Sequence, residues 1–221
     1  MRDTALDLYG HAFSSYTWKA LIALYENDTP FTFRPIDPDA DNGAALARLS
    51  PMGKFPLLTD GDRAVFEATA IIEYLDAAHP GAVRFVPADA LDAVEVRMLD
   101  RVFDNYVMTP MQKIVGDKLR PEADRDPYGA EQARAGLERI YAWLDNALGD
   151  REWAAGYAFT LADCAAAPSL FYADWAQPMD GRFPTLAAYR ARLLARPSVA
   201  RCVDEARPYR AYFPLGAPDR D

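Results

Sequence analysis

Ser50-Pro-Met-Gly-Lys-Phe-Pro56, continued by Leu57-Leu58 and then by Glu67-Ala-Thr-Ala-Ile-Ile-Glu-Tyr-Leu75, is the stretch that decides the fold. Pro56 lies between Phe55 and an apolar run. It has no N–H to give to a sheet, so it belongs at the edge or mouth of a strand, a position compatible with a cis bond in a tight turn. The second run reads as a helix that opens on an acid. There the unpaired backbone N–H groups and the helix dipole favour an anion. A turn, two strands and a helix in this order, with a proline at one end and N–H donors at the other, make a grip for a peptide and its carboxylate.

Working outward, the first third alternates strand and helix signals. Ala5 to Tyr9 alternates like a short strand, and from Trp18 the apolar residues Leu21, Ile22 and Tyr25 recur at helical spacing until Asn27-Asp-Thr-Pro30. Phe31, Phe33 and Pro35 share one face of a second strand, which enters an acidic loop from Asp37 to Asn42. A short helix near 44–49, a turn at Asp60-Gly-Asp62 and a strand ending at Phe66 complete a β-α-β, β-β-α order. That order is thioredoxin-like. Pro/Gly punctuation from His79 to Ala88 reads as a linker. Beyond it the pattern is helical: one long helix from about Asp89 to Leu119, bent or interrupted at Pro110, then another from Gly129 to Leu148. Thr160-Leu-Ala-Asp163 is a capping signature opening a strongly apolar helix through Trp175. The expected architecture is therefore α/β followed by all-α, with domains at 1–80 and 88–215.

Composition narrows the function. The chain of 221 residues carries 33 acids against 24 Lys and Arg, a net charge of −9. Residues 1–80 hold twelve acids and six bases, so neither part is basic and nucleic acid is not an expected partner. No apolar run reaches the ~20 residues a membrane span requires, and no signal-peptide pattern is present, so a cytoplasmic location is expected. Cys164 and Cys202 are far apart and form no CxxC, which fits a reducing compartment. His11 and His79 have no local ligand partner, and no metal is expected.

The Pro56 segment and the Glu67 run, in this order and spacing, resemble the glutathione S-transferase family, whose patterns are Asn/Ser-Pro-x-Gly-Lys-x-Pro and Glu-Ser-x-Ala-Ile-x-x-Tyr-Leu. Gly156 with Thr160 and Asp163 is similar to the family's Gly-x-x-x-[Ser/Thr]-x-x-Asp box. Phe183-Pro-Thr-Leu-Ala-Ala-Tyr189 and Arg196-Pro-Ser-Val199 resemble its last helices. The resemblance implies a thioredoxin-like glutathione-binding domain, a helical domain walling the second substrate, a homodimer, and glutathione as co-substrate.

Such an enzyme must form a thiolate from a thiol whose free pKa is ~8.5, and lowering it by about two units takes about 2.7 kcal/mol. A hydroxyl just after the first strand, donating to sulfur, supplies most of that. Tyr9, Ser14, Ser15, Tyr16 and Thr17 lie there. Ser14-Ser-Tyr-Thr-Trp-Lys-Ala-Leu-Ile-Ala-Leu24 is similar to the zeta-class Ser-Ser-Cys-Ser-Trp-Arg-Val-Arg-Ile-Ala-Leu, and theta enzymes also place a serine five residues after a strand tyrosine. Ser14 is therefore expected to be catalytic, with Ser15, Tyr9 and Tyr16 as alternatives; Ser15 or Thr17 would cap the helix. The resemblance assigns glutathione binding to the backbone of Phe55 beside Pro56, to Lys54 for the glycine carboxylate, and to Glu67 with the N–H of Ala68 for the γ-glutamyl end. Here the chain departs from the pattern. Ala68 replaces the usual serine and loses a hydroxyl, a cost of about 1–2 kcal/mol, while Thr69 points about 100° away. Phe13, Tyr106, Met108, Pro110 and Tyr172 are candidates for the second-substrate wall, and Asp100 or Asp104 for an acid reaching across a dimer. The rival readings are a glutathione-dependent isomerase of a cis-diacid, which needs a basic pocket, and a non-catalytic binding or assembly protein on the same fold.

Overall fold

The computed structural model describes residues 6–36 and 41–221. Ala5 and the greater part of the acidic loop expected from Asp37 lie outside the described residues.

Strand β1 (Leu6–Gly10) buries Leu6 and Leu8 on one face and leads into helix α1 (Ser15–Glu26). The helix returns the chain to β2 (Phe31–Pro35), which pairs with β1 in parallel, Leu8 opposite Phe33. Helix α2 (Asn42–Leu49) precedes β3 (Leu57–Asp60) and β4 (Arg63–Phe66). These two form a hairpin whose two-residue loop starts at Gly61, where φ is +58° and glycine carries no steric penalty. The sheet order is β2-β1-β3-β4, with β3 antiparallel to both neighbours. Helix α3 (Ala68–Ala78) closes this layer. The linker after it is pinned by Asp76, whose carboxylate accepts from Phe85 N–H at 3.1 Å and pairs with Arg84.

The long helix expected from Asp89 is continuous in direction but not in hydrogen bonding. Helix α4 (Ala90–Val102) passes through a π-helical turn at Phe103–Met108 into α5 (Thr109–Leu119). Pro110 explains the place. It has no N–H to donate, and its ring crowds the preceding turn, so the bonds widen just before it. Thr109 N–H and Thr109 Oγ1 both turn to Asp104 O, the latter at 3.0 Å. Helix α6 (Pro127–Leu148) packs against α5, and α7 (Leu161–Ala176) is buried along its whole length. Helices α8 (Pro184–Leu194) and α9 (Pro197–Ala206) and a short 3-10 stretch (Arg207–Tyr212) follow.

A helix without a solvated face needs its ends satisfied from within. Asp163 does this for α7: its carboxylate accepts from Thr160 N–H (2.8 Å), Ala154 N–H (2.9 Å) and Tyr189 O–H (2.6 Å). Thus the expected capping residue also ties α7 to α8 and to the loop before it. One apolar core runs through both layers, from Leu8 and Trp18 to Phe171 and Leu186. This is a thioredoxin-like α/β layer carrying an all-helical one, the fold class the sequence pattern implied.

Candidate active site

The site begins where β1 meets α1. Gly10 ends the strand so close to Thr17 that a Cβ there would lie 2.5 Å from Thr17 Cγ2, so no larger residue fits. The chain then turns through His11 to Ser14, with Ser14 N–H donating to His11 O at 2.9 Å. Ser14 has extended backbone angles and caps α1: its Oγ accepts from Thr17 N–H at 3.3 Å. The capping expected of Ser15 or Thr17 is corrected here. Ser15 is already inside the helix, and Thr17 is fully buried against Gly10. Accepting one bond leaves the Ser14 proton to donate elsewhere.

The Phe55–Pro56 peptide is cis. Ser50 holds the turn before it, accepting from Lys54 N–H (3.2 Å) and donating to Lys54 O (3.0 Å). Across from it, Glu67 precedes α3 with φ +71° and ψ 116°, a left-handed conformation that a non-glycine residue adopts at a cost and that clusters at binding sites. Ala68 is the first residue of α3 and lines the same space.

Two cavities open here. One, of about 280 Å³, is polar and is lined by Tyr16, Lys54, Glu67, Arg101, Asp104 and Asn105, with Phe55, Pro56 and Ala68. The other, of about 320 Å³, is lined by Ser14, Ser15 and Gln112 among apolar and aromatic residues: Phe13, Met111, Val115, Leu119, Tyr172, Tyr212 and Phe213. Phe55 and Gln112 belong to both, so the cavities meet at the strand mouth. No Lys, Arg, Asp or Glu is among the described residues lining the apolar one.

Of the expected second-substrate residues, Phe13 and Tyr172 line the apolar cavity, their rings 5.3 Å apart, and Tyr172 O–H donates to Phe13 O at 2.9 Å. Tyr106, Met108 and Pro110 do not line it. Tyr106 is 59% exposed and Met108 is buried in the core. Their place is taken by Met111, Gln112 and Val115 after the π turn, and by the segment at 212–214.

Beneath the polar cavity lies a cluster that no local motif announces. Lys19, 1% exposed, pairs with Asp100 Oδ1 at 2.5 Å and with Asp104 Oδ2 at 2.8 Å, and also donates to Thr69 Oγ1 at 2.8 Å. The Asp100 contact is an ion pair set off the hydrogen-bonding direction. Arg101 joins from the surface, bonding Asp104 Oδ2 at 2.8 Å and Asp100 through both Nε and Nη2. This corrects the idea of Asp100 reaching across a dimer: its carboxylate is fully buried and held within its own chain. Thr69 turns into this cluster and away from the polar cavity, as its helical offset predicted. Burial raises the Asp104 carboxyl above its ordinary pKa, with Lys19 opposing. Burial, and then Asp104, push the Tyr16 phenol up to about 12, so it stays a protonated donor. Cys164 and Cys202 are fully buried and burial pushes both thiols well up, which removes them as nucleophiles. Among the described residues no group of three His, Cys, Asp or Glu is placed to hold a metal ion.

A cis-proline strand mouth, a helix start opposite it and a helical layer walling an adjoining apolar cavity define a thioredoxin-like protein with a small-molecule cleft. Comparison with known proteins agrees. A model of the glutathione S-transferase N-terminal domain matches residues 8–82, and one of the C-terminal domain matches residues 106–197. A probable maleylacetoacetate isomerase of Vibrio cholerae is 26% identical, the match covering 92% of this chain and 98% of that protein. Human glutathione S-transferase theta-2 is 26% identical over 86% of this chain and 81% of its own. A glutathione S-transferase from Methylobacterium radiotolerans, solved in complex with glutathione sulfonate, is 30% identical, with a TM-score of 0.79 and coverage of 90% and 95%. The chain belongs to the glutathione S-transferase family.

Proposed function

We propose that the protein is a glutathione transferase that adds the thiolate of glutathione to an apolar electrophile. The observation that carries this reading is the meeting of a charge-lined cavity and a charge-free one at Phe55, with Ser14 on the apolar side. In this reading the tripeptide lies in the polar cavity, its cysteinyl unit pairing with the Phe55 backbone like a short added strand. Lys54 meets the glycine carboxylate, and Glu67 and the Ala68 N–H meet the γ-glutamyl end. Ser14 O–H donates to the sulfur and stabilises the thiolate, and the electrophile lies among Phe13, Tyr172 and Met111. Residues 1–80 thus hold most of the glutathione and residues 88–215 most of the second substrate, in a cytoplasmic homodimer.

The name of the Vibrio cholerae relative raises the isomerase reading. A cis-diacid substrate needs cationic partners for two carboxylates, and the described lining of the cavity above Ser14 offers none. The transferase reading therefore stands ahead. Calorimetric titration with glutathione and with S-hexylglutathione tests it. Micromolar to low-millimolar binding of both, tighter for the hexyl conjugate, is expected. No binding of either at millimolar concentration overturns it and leaves the non-catalytic reading.

A further inference from the structure

Ala68 leaves the polar cavity without the side-chain hydroxyl that the family pattern puts at the start of α3, and Thr69 does not compensate, being held by Lys19, Asp100 and Arg101. Yet a second hydroxyl faces this cavity from another element. Tyr16, the second residue of α1, lines it together with Glu67, Ala68 and Arg101. Its O–H has no hydrogen-bond partner among the described residues, although the ring is half-buried against the core. Asp104 and Arg101 both act on the phenol electrostatically, with opposite signs. Arg101 spends Nε and Nη2 on Asp100, Asp104 and Thr69, and Nη1 makes no hydrogen bond among the described residues. A neutral O–H beside a guanidinium edge is a donor pair for a carboxylate. Glu67, in the lining of the same cavity, and Asp104, held at Arg101, are acceptors for an ammonium. The four groups together match an amino-acid head, with its carboxylate and ammonium on one carbon.

We propose that the Tyr16 hydroxyl, with Arg101 beside it, binds the α-carboxylate of the γ-glutamyl unit in place of the hydroxyl missing at Ala68. The proposal rests on glutathione occupying the polar cavity. The phenol stays protonated up to a pKa of about 12, so it donates across the whole physiological range.

Tyr16→Phe removes the hydroxyl and keeps the ring. The probes are glutathione, glutaryl-Cys-Gly, which lacks only the ammonium, and 4-aminobutanoyl-Cys-Gly, which lacks only the α-carboxylate. Titration of wild type with the three, repeated on Tyr16→Phe, should show a loss of about five- to thirtyfold for the first two and none for the third. Adding Ala68→Ser to Tyr16→Phe should restore much of the lost affinity. Equal affinities of wild type and Tyr16→Phe for glutathione overturn the proposal, as does an equal loss for all three probes, which marks a structural role. Failure of wild type to bind glutathione at all instead overturns the underlying reading. Thermal melts of each variant, expected within a few degrees of wild type, separate a lost bond from a lost fold.

Discussion

In the proposed mechanism Ser14 has two hydrogen-bonding duties that do not compete: its oxygen accepts from Thr17 N–H, and its proton would donate to sulfur. For a lowering of about two units, losing the hydroxyl should return the bound thiol toward the free value of ~8.5. The sign follows from the reacting species. Thiolate increases as pH rises through the bound thiol's pKa, so Ser14→Ala should slow conjugation about twentyfold near pH 7. The gap should close above about pH 9, where both forms are ionised. Stopped pH–rate profiles, with ultraviolet absorbance of the bound thiolate, check this. The lost cap costs only about 1 kcal/mol, too little to unfold the chain. Residues such as Ser14, Phe55 and Glu67 are legible in the sequence because each sits in a short run whose spacing has a local cause: a helix start or a strand mouth. Tyr16 sits in the same run, but what its hydroxyl faces depends on α3 and α4, and those lie far along the chain.

At the scale of elements, Thr160 and Asp163 were readable as a cap, and the structure shows how much more the carboxylate holds. Burial raises its pKa while four donated bonds oppose the rise. Asp163→Ala strands buried N–H groups of Ala154 and Thr160 and the O–H of Tyr189, and should cost about 3–5 kcal/mol in urea unfolding. Tyr189→Phe leaves the backbone bonds intact and should cost about 1 kcal/mol. If the two variants proved equal, Asp163 would hold only the α8 contact. The wall of the second cavity was less legible for a related reason. Pro110 marked where the long helix departs from regularity, but not the form of the departure. A π turn takes up an extra residue, which rotates later side chains by about 100° relative to a regular helix. The cavity-lining face therefore falls on Met111, Gln112 and Val115, not on Met108 and Pro110. Chain contributed from 212–214 carries no motif, being ordinary aromatic and proline residues that matter only by where they land.

The two layers of the molecule are joined by apolar packing and by polar contacts, among them the buried Lys19 cluster and the Glu26–Arg196 pair. Trp18 on α1 packs 5.0 Å from Phe171 on α7, and Lys19, the next residue, reaches Asp104, 85 positions along the chain. A lysine inside an apolar helix repeat reads as a surface residue, since its acids lie beyond the linker and come together only after the layers dock. That separation is why the cluster was invisible while the fold was plain. Lys19→Met should leave two buried carboxylates without their central cation, a loss of about 3–5 kcal/mol near neutral pH. The pH dependence gives the sharper test. Asp104 already has its carboxyl raised by burial, and Lys19 works against that rise, so its removal raises the group further. With a native pKa above the unfolded one, the folded state binds the extra proton. Stability is then present at low pH and lost as pH rises through the native value. Lys19→Met should therefore lose stability as pH rises above the ordinary carboxylate range, and the deficit against wild type should widen as it does. Asp104→Asn in the same background, which cannot ionise at that position, should remove much of the slope. Urea unfolding at a series of pH values decides it: a deficit independent of pH would mean that Lys19 acts by packing its stem, and that the charge cluster does not couple the layers.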